Sequence, residues 1–254
     1  MPGLKPAMKN NVFSYLLDRK NRRLKSLAVL VDPDKTEQLN ELVEQCGANP
    51  PDLFLVGGSF KGDEMTSRCI EVLRKAVAVP VVLFPGNMNQ VVSEADALLL
   101  LSVISSRNPD LLIGRHVEAA LRVKQSGLEI IPTGYILIES GSLTSVQYMS
   151  QSLPVPRSKP ELAAATAMAG EQLGLRAIYL EAGSGADQTV PLETVVSVKS
   201  CMDGLLFVGG GITKAAQLSG IFGAGADVAV VGNALEKNPI LLGQFAEARN
   251  RSTP

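Results

Sequence analysis

Eight short apolar runs alternate with amphipathic stretches along this chain, and that alternation constrains the fold more than any other feature. Most of the runs are continuously hydrophobic, which is typical of parallel strands that are buried on both faces. Eight strands in strict alternation with helices favour a closed (β/α)8 barrel, the TIM-barrel fold, over a doubly wound open sheet. The predicted strands are Leu27–Val31, Leu53–Val56, Val81–Phe84, Ala97–Leu101, Glu129–Ile138, Ala177–Leu180, Leu205–Val208 and Val228–Val231.

Helical patterns fall between these runs, and an N-terminal helix is predicted near residues 9–24, before the first strand. The other predicted helices cover residues 35–46, 61–76, 110–126, 160–173, 191–201, 213–222 and 238–249. The length of 254 residues is close to the roughly 250 of a lone barrel. Since no linker, low-complexity tract or short repeat interrupts the pattern, we predict one domain over residues 1–254, with the barrel at about 25–250.

The connection between the third and fourth strands departs from this regularity. Residues 85–96 are too few and too broken for a full crossover helix, because a parallel crossover normally needs a dozen or more residues including its helix. We therefore predict an α/β barrel whose third crossover helix is shortened or missing. Its absence would leave an apolar groove in the barrel wall.

Composition narrows the class of function. A net charge of −1 and a pI near 6.0 argue against a nucleic-acid partner. The three cysteines, Cys46, Cys69 and Cys201, lie far apart without metal-ligand spacing, which indicates reduced thiols in a cytoplasmic protein. No apolar run approaches the roughly 20 residues of a membrane span. The apolar content of the barrel faces leads us to expect a homo-oligomer.

Glycines follow the last two predicted strands. In a barrel enzyme the site lies at the C-terminal ends of the strands, and phosphate sites recur after strands seven and eight. Gly210, Gly211, Gly232 and Asn233 are placed there, so their backbone amides can approach a phosphate closely. The alternative is that these glycines only make tight turns.

A cluster of acidic residues follows the first predicted strand. Asp32 stands at the strand tip, where a hard carboxylate suits Mg²⁺, and Ser59 at the neighbouring tip can add a hydroxyl oxygen. Asp34 is followed three residues later by Glu37, which predicts that Asp34 caps the next helix.

Glu181 ends an otherwise apolar strand, so burial would raise its pKa toward that of a useful general base. Tyr179 lies two residues earlier on the same face and can position a hydroxyl or phosphate. The alternatives are a turn-capping role for Glu181 and core packing for Tyr179. His116, the single histidine, falls in a helical stretch and is expected to be exposed. Residues 139–160 form a long polar segment with three prolines after strand five, as expected of an active-site lid.

Five motifs occur in a specific order along the chain: DPDK, VGGS, YLEAGSGA, VGGGI and VVGNAL. Taken together they resemble the geranylgeranylglyceryl phosphate synthase family, including its bacterial PcrB-like members, over roughly residues 25 to 240. The segment IPTGYILIESGSLTSVQYMS is similar to the corresponding region of the larger bacterial and archaeal group. One difference is that Leu30 stands where some members have a lysine. The resemblance therefore implies that another cation balances the charge of the diphosphate group on the family's prenyl substrate.

The resemblance implies Mg²⁺-dependent transfer of a polyprenyl group, with geranylgeranyl expected, from its diphosphate to the sn-3 hydroxyl of sn-glycerol 1-phosphate. Diphosphate would be released as the ether bond forms. By the same resemblance Asp32 would coordinate Mg²⁺ with Ser59 close by. The implied glycerol phosphate site comprises Tyr179, Glu181, either Gly183 or Ser184, Gly210, Gly211, Ile212, Gly232 and Asn233.

Two other readings of the sequence stay open. One is another phosphate-binding barrel enzyme, such as a phosphosugar isomerase or aldolase, in which Glu181 is a base without a prenyl groove. The other is a non-catalytic barrel that binds phosphate or lipid, although the presence of Asp32 and Glu181 argues against it.

Overall fold

The computed structural model describes residues 11–35, 37–58, 63–86 and 90–253, and these form a closed parallel barrel with β8 paired to β1. The strands are β1 (Ser26–Val31), β2 (Leu53–Val56), β3 (Val81–Leu83), β4 (Ala97–Ser102), β5 (Glu129–Leu137), β6 (Ala177–Glu181), β7 (Leu205–Gly209) and β8 (Val228–Val231). Each overlaps its predicted range. The predicted (β/α)8 barrel is therefore confirmed, while a single domain over all 254 residues stays a prediction.

Helices cover the outside of the barrel. They are α1 (Val12–Asn21), α2 (Leu39–Ala48), α3 (Asp63–Ala76), α4 (Arg115–Ser126), α5 (Ser145–Ser150), α6 (Pro160–Gln172), α7 (Leu192–Lys199), α8 (Ala215–Gly223), α9 (Asn233–Lys237) and α10 (Leu241–Arg251). The sequence pattern does not predict α5 or α9, which are single short turns. A π-helical turn, Asp110–Gly114, leads into α4. No helix within the described part of the chain is both long and apolar enough to cross a bilayer.

The connection between β3 and β4 has no α-helix in its described residues, 84–86 and 90–96. This confirms the shortened third crossover for that part of the connection. Gln90 is buried there, accepts a hydrogen bond from the amide of Gly86 at 2.9 Å and donates one to the carbonyl of Gly58 at 2.9 Å. The connection is thus tied to the turn after β2, instead of forming a helix over the wall.

Side chains of successive strand residues enter two separate cores, as the two-residue period of a strand requires. In β6, Ala177 and Tyr179 belong to the inner core of the barrel, whereas Ile178 and Leu180 pack beneath the helices. Glu181 continues the inward series at the C-terminal end. Its side chain is therefore directed toward the mouth of the barrel.

The N-terminal end of the barrel is stabilised by buried carboxylates that directly precede strands. Asp52, for example, accepts the Leu27 amide at 2.8 Å and pairs with Arg19 and Arg249 at 2.7 and 2.9 Å. Equivalent arrangements join Asp96 to Val81 and Arg74, and Asp227 to Leu206 and Lys199. These ion pairs lie at the opposite end of the barrel from the predicted site, so they serve the fold.

Candidate active site

A cavity of about 650 Å³ opens at the C-terminal ends of the strands. This volume is typical of small-molecule sites. The predicted site residues that line it are Asp32, Tyr179, Glu181, Ser184, Gly210, Gly211, Ile212, Gly232 and Asn233. Gly183 adjoins the cavity through a hydrogen bond to Glu181, and Ser59 lies outside the described residues.

Glu181 is buried at the inner end of β6, with only 6% of its surface exposed. Burial raises the pKa of its carboxyl to about 7, although a hydrogen bond from the Gly183 amide and the nearby Tyr135 and Tyr179 hydroxyls act to lower it. The amide of Gly183 donates to Oε1 at 2.6 Å. A carboxyl held in place with a pKa near 7 is suited to accept a proton at neutral pH.

An aromatic cluster forms the floor of the cavity around Tyr179. Its ring stacks with Phe84 at 5.0 Å and with Phe207 at 6.0 Å between centroids. Tyr135 lies 5.4 Å away, because the register of β5 and β6 places it beside Tyr179. Tyr179 therefore has the packing role that was one predicted alternative, and its hydroxyl lies near Glu181, while the positioning of a substrate by that hydroxyl stays a prediction.

Tyr135 is a site residue that the sequence reasoning missed. A signal was present, because Thr133, Tyr135 and Leu137 alternate along β5 and all point inward with the residues of β6. Burial raises the pKa of the Tyr135 hydroxyl well above its ordinary value, as does the nearby Glu181 carboxylate. Tyr135 therefore stays protonated and acts as a hydrogen-bond donor.

The glycine turn after β7 fits tightly against Glu181. Gly210 and Gly211 have φ of +88° and +70°, a conformation that favours glycine. A Cβ on Gly210 would lie 2.5 Å from Oε1 of Glu181. Glycine at this position is thus needed for the turn to sit beside the carboxylate.

Ser184 and Asn233 link the turn after β6 to the start of α9. The hydroxyl of Ser184 donates to Oδ1 of Asn233 at 3.0 Å, and both residues line the cavity. Gly183 is buried and its amide is committed to Glu181, whereas Ser184 is exposed in the cavity. Ser184 is therefore the one of the two candidates whose side chain faces the cavity, and which of them contacts substrate stays a prediction.

Asp32 closes a turn at the end of β1. Its carbonyl accepts the Lys35 amide at 2.9 Å and its Oδ1 accepts the Asp34 amide at 3.0 Å. The prediction that Asp34 caps the next helix is wrong, because α2 begins at Leu39 with Gln38 at its N-cap. Pro33 favours the observed β-turn, which delays the helix by several residues.

Lys35 was not predicted as a site residue, yet it lines the cavity beside Asp32. Its Nζ lies 3.6 Å from Oδ2 of Asp32 and 3.0 Å from Oε2 of Glu236. Partial burial lowers the pKa of Lys35, but the hydrogen bonds and charges of Glu236 and Asp32 outweigh that effect and raise it. The cavity therefore contains a cation that two carboxylates hold in place.

The described residues around Asp32 supply too few ligands to hold Mg²⁺ alone, but they fit a Mg²⁺ ion that is also bound by substrate phosphates. Within the described ranges, no group of three or more His, Cys, Asp or Glu side chains is placed to hold a metal. Mg²⁺ is usually bound through one or two carboxylates together with substrate phosphates and waters. The Asp32 carboxylate, which is 14% exposed in the cavity, can serve as one such ligand.

Another part of the cavity lining is mainly apolar. It comes from the ends of β3 and β4, from the approach to α4 and from α5, with Phe84, Leu101, Leu111, Val146 and Met149 among its residues. This is the side on which the third crossover lacks a helix in its described residues. The cavity lining thus has a polar part around Asp32 and Glu181 and a mainly apolar part that also includes Arg115 and His116.

Residues 139–160, the predicted lid, contribute part of the cavity lining through α5. Val155 pairs with Ile138 in a parallel bridge, and Thr144 begins α5 with its amide bonded to the Gln147 side chain at 2.9 Å. Val146 and Met149 of α5 line the cavity. The segment therefore contacts the site directly, and whether it opens and closes stays a prediction.

The prediction that His116 is an exposed helix residue is wrong. It is half-buried, lines the cavity and bonds through Nε2 to the carbonyl of Leu101 at 2.9 Å. The physical reason is the π-helical turn Asp110–Gly114, which shifts the side-chain register of the following helix. Within the described residues the buried Nδ1 of His116 has no hydrogen-bond partner.

Comparison with known proteins decides the family. The model of the PcrB family matches residues 19–249, which is most of the chain. The chain belongs to the PcrB family. Its curated relatives are named geranylgeranylglyceryl phosphate synthase, a prenyltransferase, and the protein is an enzyme of that class.

Individual relatives match over nearly the full length. A geranylgeranylglyceryl phosphate synthase of Spirosoma linguale is 48% identical over 92% of this chain and 94% of its own length. One of Chitinophaga pinensis is 43% identical over 97% of this chain and 99% of its own length.

A solved structure agrees with the fold. The crystal structure of (S)-3-O-geranylgeranylglyceryl phosphate synthase from Thermoplasma acidophilum, in complex with its substrate sn-glycerol-1-phosphate, is 27% identical to this chain. It covers 94% of this chain and 98% of its own, with a TM-score of 0.87.

Proposed function

We propose that the protein transfers a polyprenyl group from its diphosphate to the sn-3 hydroxyl of sn-glycerol 1-phosphate, with geranylgeranyl as the preferred group. The observation that carries the proposal is the cavity itself, in which a buried carboxyl with a raised pKa and a glycine turn adjoin an apolar surface. Membership of the PcrB family and the substrate bound by the Thermoplasma acidophilum relative support the same reaction.

The chemistry assigned to this chain is proton removal at one end of the cavity. As the bond between prenyl C1 and the diphosphate oxygen breaks, C1 develops cationic character and the glycerol oxygen forms the new ether bond. Glu181 takes the hydroxyl proton, for which its burial and its pKa near 7 suit it. Tyr135 and Tyr179 orient that carboxylate and the glycerol hydroxyl.

The glycerol phosphate binds, in this proposal, between the turns that follow β6, β7 and β8. Backbone amides at Gly210, Gly211 and Gly232 face its phosphate, with Ile212 packed beside them. Ser184 and Asn233 supply polar side chains at the edge of the same site.

At the end of β1, the strand next to β8, Asp32 would hold Mg²⁺, with Ser59 close to it as the family resemblance implies. The ion would neutralise charge on the leaving diphosphate, an electrostatic contribution that is usually large. Comparing Asp32→Asn with Asp34→Asn tests this role. The first should abolish turnover and the response to Mg²⁺ while leaving the fold intact. The second should retain most activity, and equal loss in both variants would contradict the assignment of the metal ligand to Asp32.

The prenyl chain occupies the apolar part of the cavity. Phe84, Leu101, Leu111 and Met149 provide an apolar surface, and the connection over that side lacks a helix in its described residues. The segment 139–160 excludes water, which would otherwise hydrolyse the prenyl diphosphate. Groove depth then sets the preferred chain length.

A product assay tests the whole proposal. The protein is incubated with sn-glycerol 1-phosphate and prenyl diphosphates of 10, 15, 20 and 25 carbons, with Mg²⁺ or with a chelator, and products are identified by mass spectrometry. An ether product with the highest yield near 20 carbons, lost on chelation, is expected. Binding without turnover would instead favour a non-catalytic barrel, and conversion of a phosphosugar would favour an isomerase or aldolase.

We also propose that the protein is a homo-oligomer. Ile113, Val117 and Leu121 form a stripe at four-residue spacing along the outer face of α4 and the turn before it, and they are 60%, 70% and 68% exposed. A stripe of this kind commonly forms a subunit contact. Sedimentation of the wild type and of Val117→Glu checks it. The cytoplasmic location expected from the three thiols stays a prediction.

A further inference from the structure

Lys35 lies between the carboxylates of Asp32 and Glu236, where the turn after β1 meets α9. Its ammonium nitrogen is 3.0 Å from Oε2 of Glu236 and 3.6 Å from Oδ2 of Asp32. Of the described residues that line the cavity, three carry a permanent positive charge, namely Lys35, Arg115 and Lys237. Lys35 is the one that reaches the Asp32 carboxylate.

The turn after β1 fixes the backbone position of Lys35, and Glu236 fixes the position of its ammonium group. The backbone of Lys35 bonds to the Asp32 carbonyl at 2.9 Å, so the two residues share one turn. A lysine side chain is long and flexible, and this one is about half exposed. The Glu236 carboxylate, which is only 18% exposed, extends from α9 and holds the ammonium group over the cavity.

Lys35 already forms a looser ion pair with Asp32 at 3.6 Å, and without Glu236 the ammonium group would be free to move into closer contact with that carboxylate. That would neutralise the carboxylate to which the proposed function assigns the metal. Because the closer contact is to Glu236, the pair between Lys35 and Asp32 stays loose enough for an anion to bind between the two groups. A diphosphate carries enough charge to engage a metal ion and an ammonium group at once.

We propose that Lys35 is the cation that receives the diphosphate of the prenyl substrate beside Asp32, and that Glu236 is a positioning residue that holds Lys35 there. The assignment rests on the proposed function, because it names a ligand of the same site. It adds a second anchor for the diphosphate that comes from this chain and not from the metal.

Binding of inorganic diphosphate tests the assignment without requiring turnover. Isothermal titration calorimetry in Mg²⁺ is carried out on the wild type, Lys35→Met, Glu236→Gln and the double variant. Lys35→Met should raise the dissociation constant about 10-fold to 100-fold, the range for losing a hydrogen bond to a charged group. Glu236→Gln should raise it about 3-fold to 10-fold. The double variant should match Lys35→Met, since Glu236 acts only through Lys35.

Two further variants separate a specific role from a general effect of charge. Lys237→Met removes the same charge from the same cavity and should leave diphosphate binding within about twofold of the wild type. Lys35→Arg keeps the charge and should restore most of the affinity. Thermal unfolding of each variant verifies that the fold is retained.

Unchanged diphosphate affinity in Lys35→Met overturns the proposal, as do independent, additive losses in the double variant. The outcome is separable from that of the proposed function. A wild type that forms prenylated product while Lys35→Met binds diphosphate normally contradicts only the Lys35 assignment. A wild type that binds diphosphate through Lys35 but forms no product contradicts the proposed reaction and supports the binding role.

Discussion

The backbone amide of Gly183 donates a 2.6 Å hydrogen bond to the carboxylate of Glu181, two residues earlier in the chain. The bond turns the chain back on itself at the end of β6 and holds the carboxylate inside the cavity. Burial raises the pKa of that carboxyl to about 7. A base at the end of an apolar strand is thus oriented by its own turn.

Replacing this base should affect the chemical step. Glu181→Gln keeps the shape of the side chain and can accept the Gly183 hydrogen bond, but it cannot take a proton. We expect kcat to fall by about 10² to 10⁴ with little change in the KM for glycerol 1-phosphate. Steady-state kinetics check this. A near-normal kcat with a greatly raised KM would mean that Glu181 only positions the substrate.

The same carboxyl makes stability depend on pH. Its folded pKa of about 7 lies above the ordinary value of 4.5, so the folded state binds the proton more tightly. Its stabilising contribution is complete below pH 4.5 and is lost as pH rises to about 7. The loss amounts to at most about 3 kcal/mol. Glu181→Gln should escape it.

Urea unfolding at pH 5 and pH 8 measures this effect. From pH 5 to pH 8, the free energy of unfolding of Glu181→Gln should increase relative to that of the wild type. Glu193→Gln, at an exposed position, is the matched control and should show no such change. If the difference in free energy of unfolding between Glu181→Gln and the wild type is the same at both pH values, the pKa of Glu181 is not raised by folding.

Ser184 should affect one substrate and not the other. Ser184→Ala removes the hydroxyl that bonds to Asn233 at the edge of the glycerol phosphate site. The KM for glycerol 1-phosphate should rise about tenfold, while that for the prenyl diphosphate should stay within about twofold. Ser200→Ala, at an exposed position after α7, is the control. Equal rises for both substrates would contradict this placement.

The buried ion pairs at the N-terminal end should govern stability alone. Asp52→Ala leaves Arg19 and Arg249 without their shared partner and should destabilise the protein by about 3 to 5 kcal/mol. Asp18→Ala, which removes an exposed pair with Arg22, should cost under about 1 kcal/mol. Denaturant unfolding checks both. A raised KM in Asp52→Ala under folding conditions would contradict the separation of the two ends.

The strands were predictable because each is a continuous apolar run, and burial on both faces leaves few other structures for such a run. Glu181 and Asp32 could be placed at the mouth for the same reason, since each follows directly from a strand. Tyr135 was also accessible, because the inward alternation of β5 matches that of β6.

Features that depend on distant contacts were not predictable. The ion pair of Lys35 and Glu236 joins residues on opposite ends of the chain, which only barrel closure brings together. The position of His116 depends on a π-helical turn that no local pattern marked. The capping pattern at Asp34 was overridden by the turn that Pro33 favours.

The path of the glycerol oxygen tests the central claim most directly. sn-Glycerol 1-phosphate labelled with ¹⁸O at the sn-3 hydroxyl is incubated with geranylgeranyl diphosphate, and both products are analysed by mass spectrometry. The account predicts that the ether product retains the label and that the released diphosphate contains none. A prenylated product without the label, label in the diphosphate, or no ether product would contradict it.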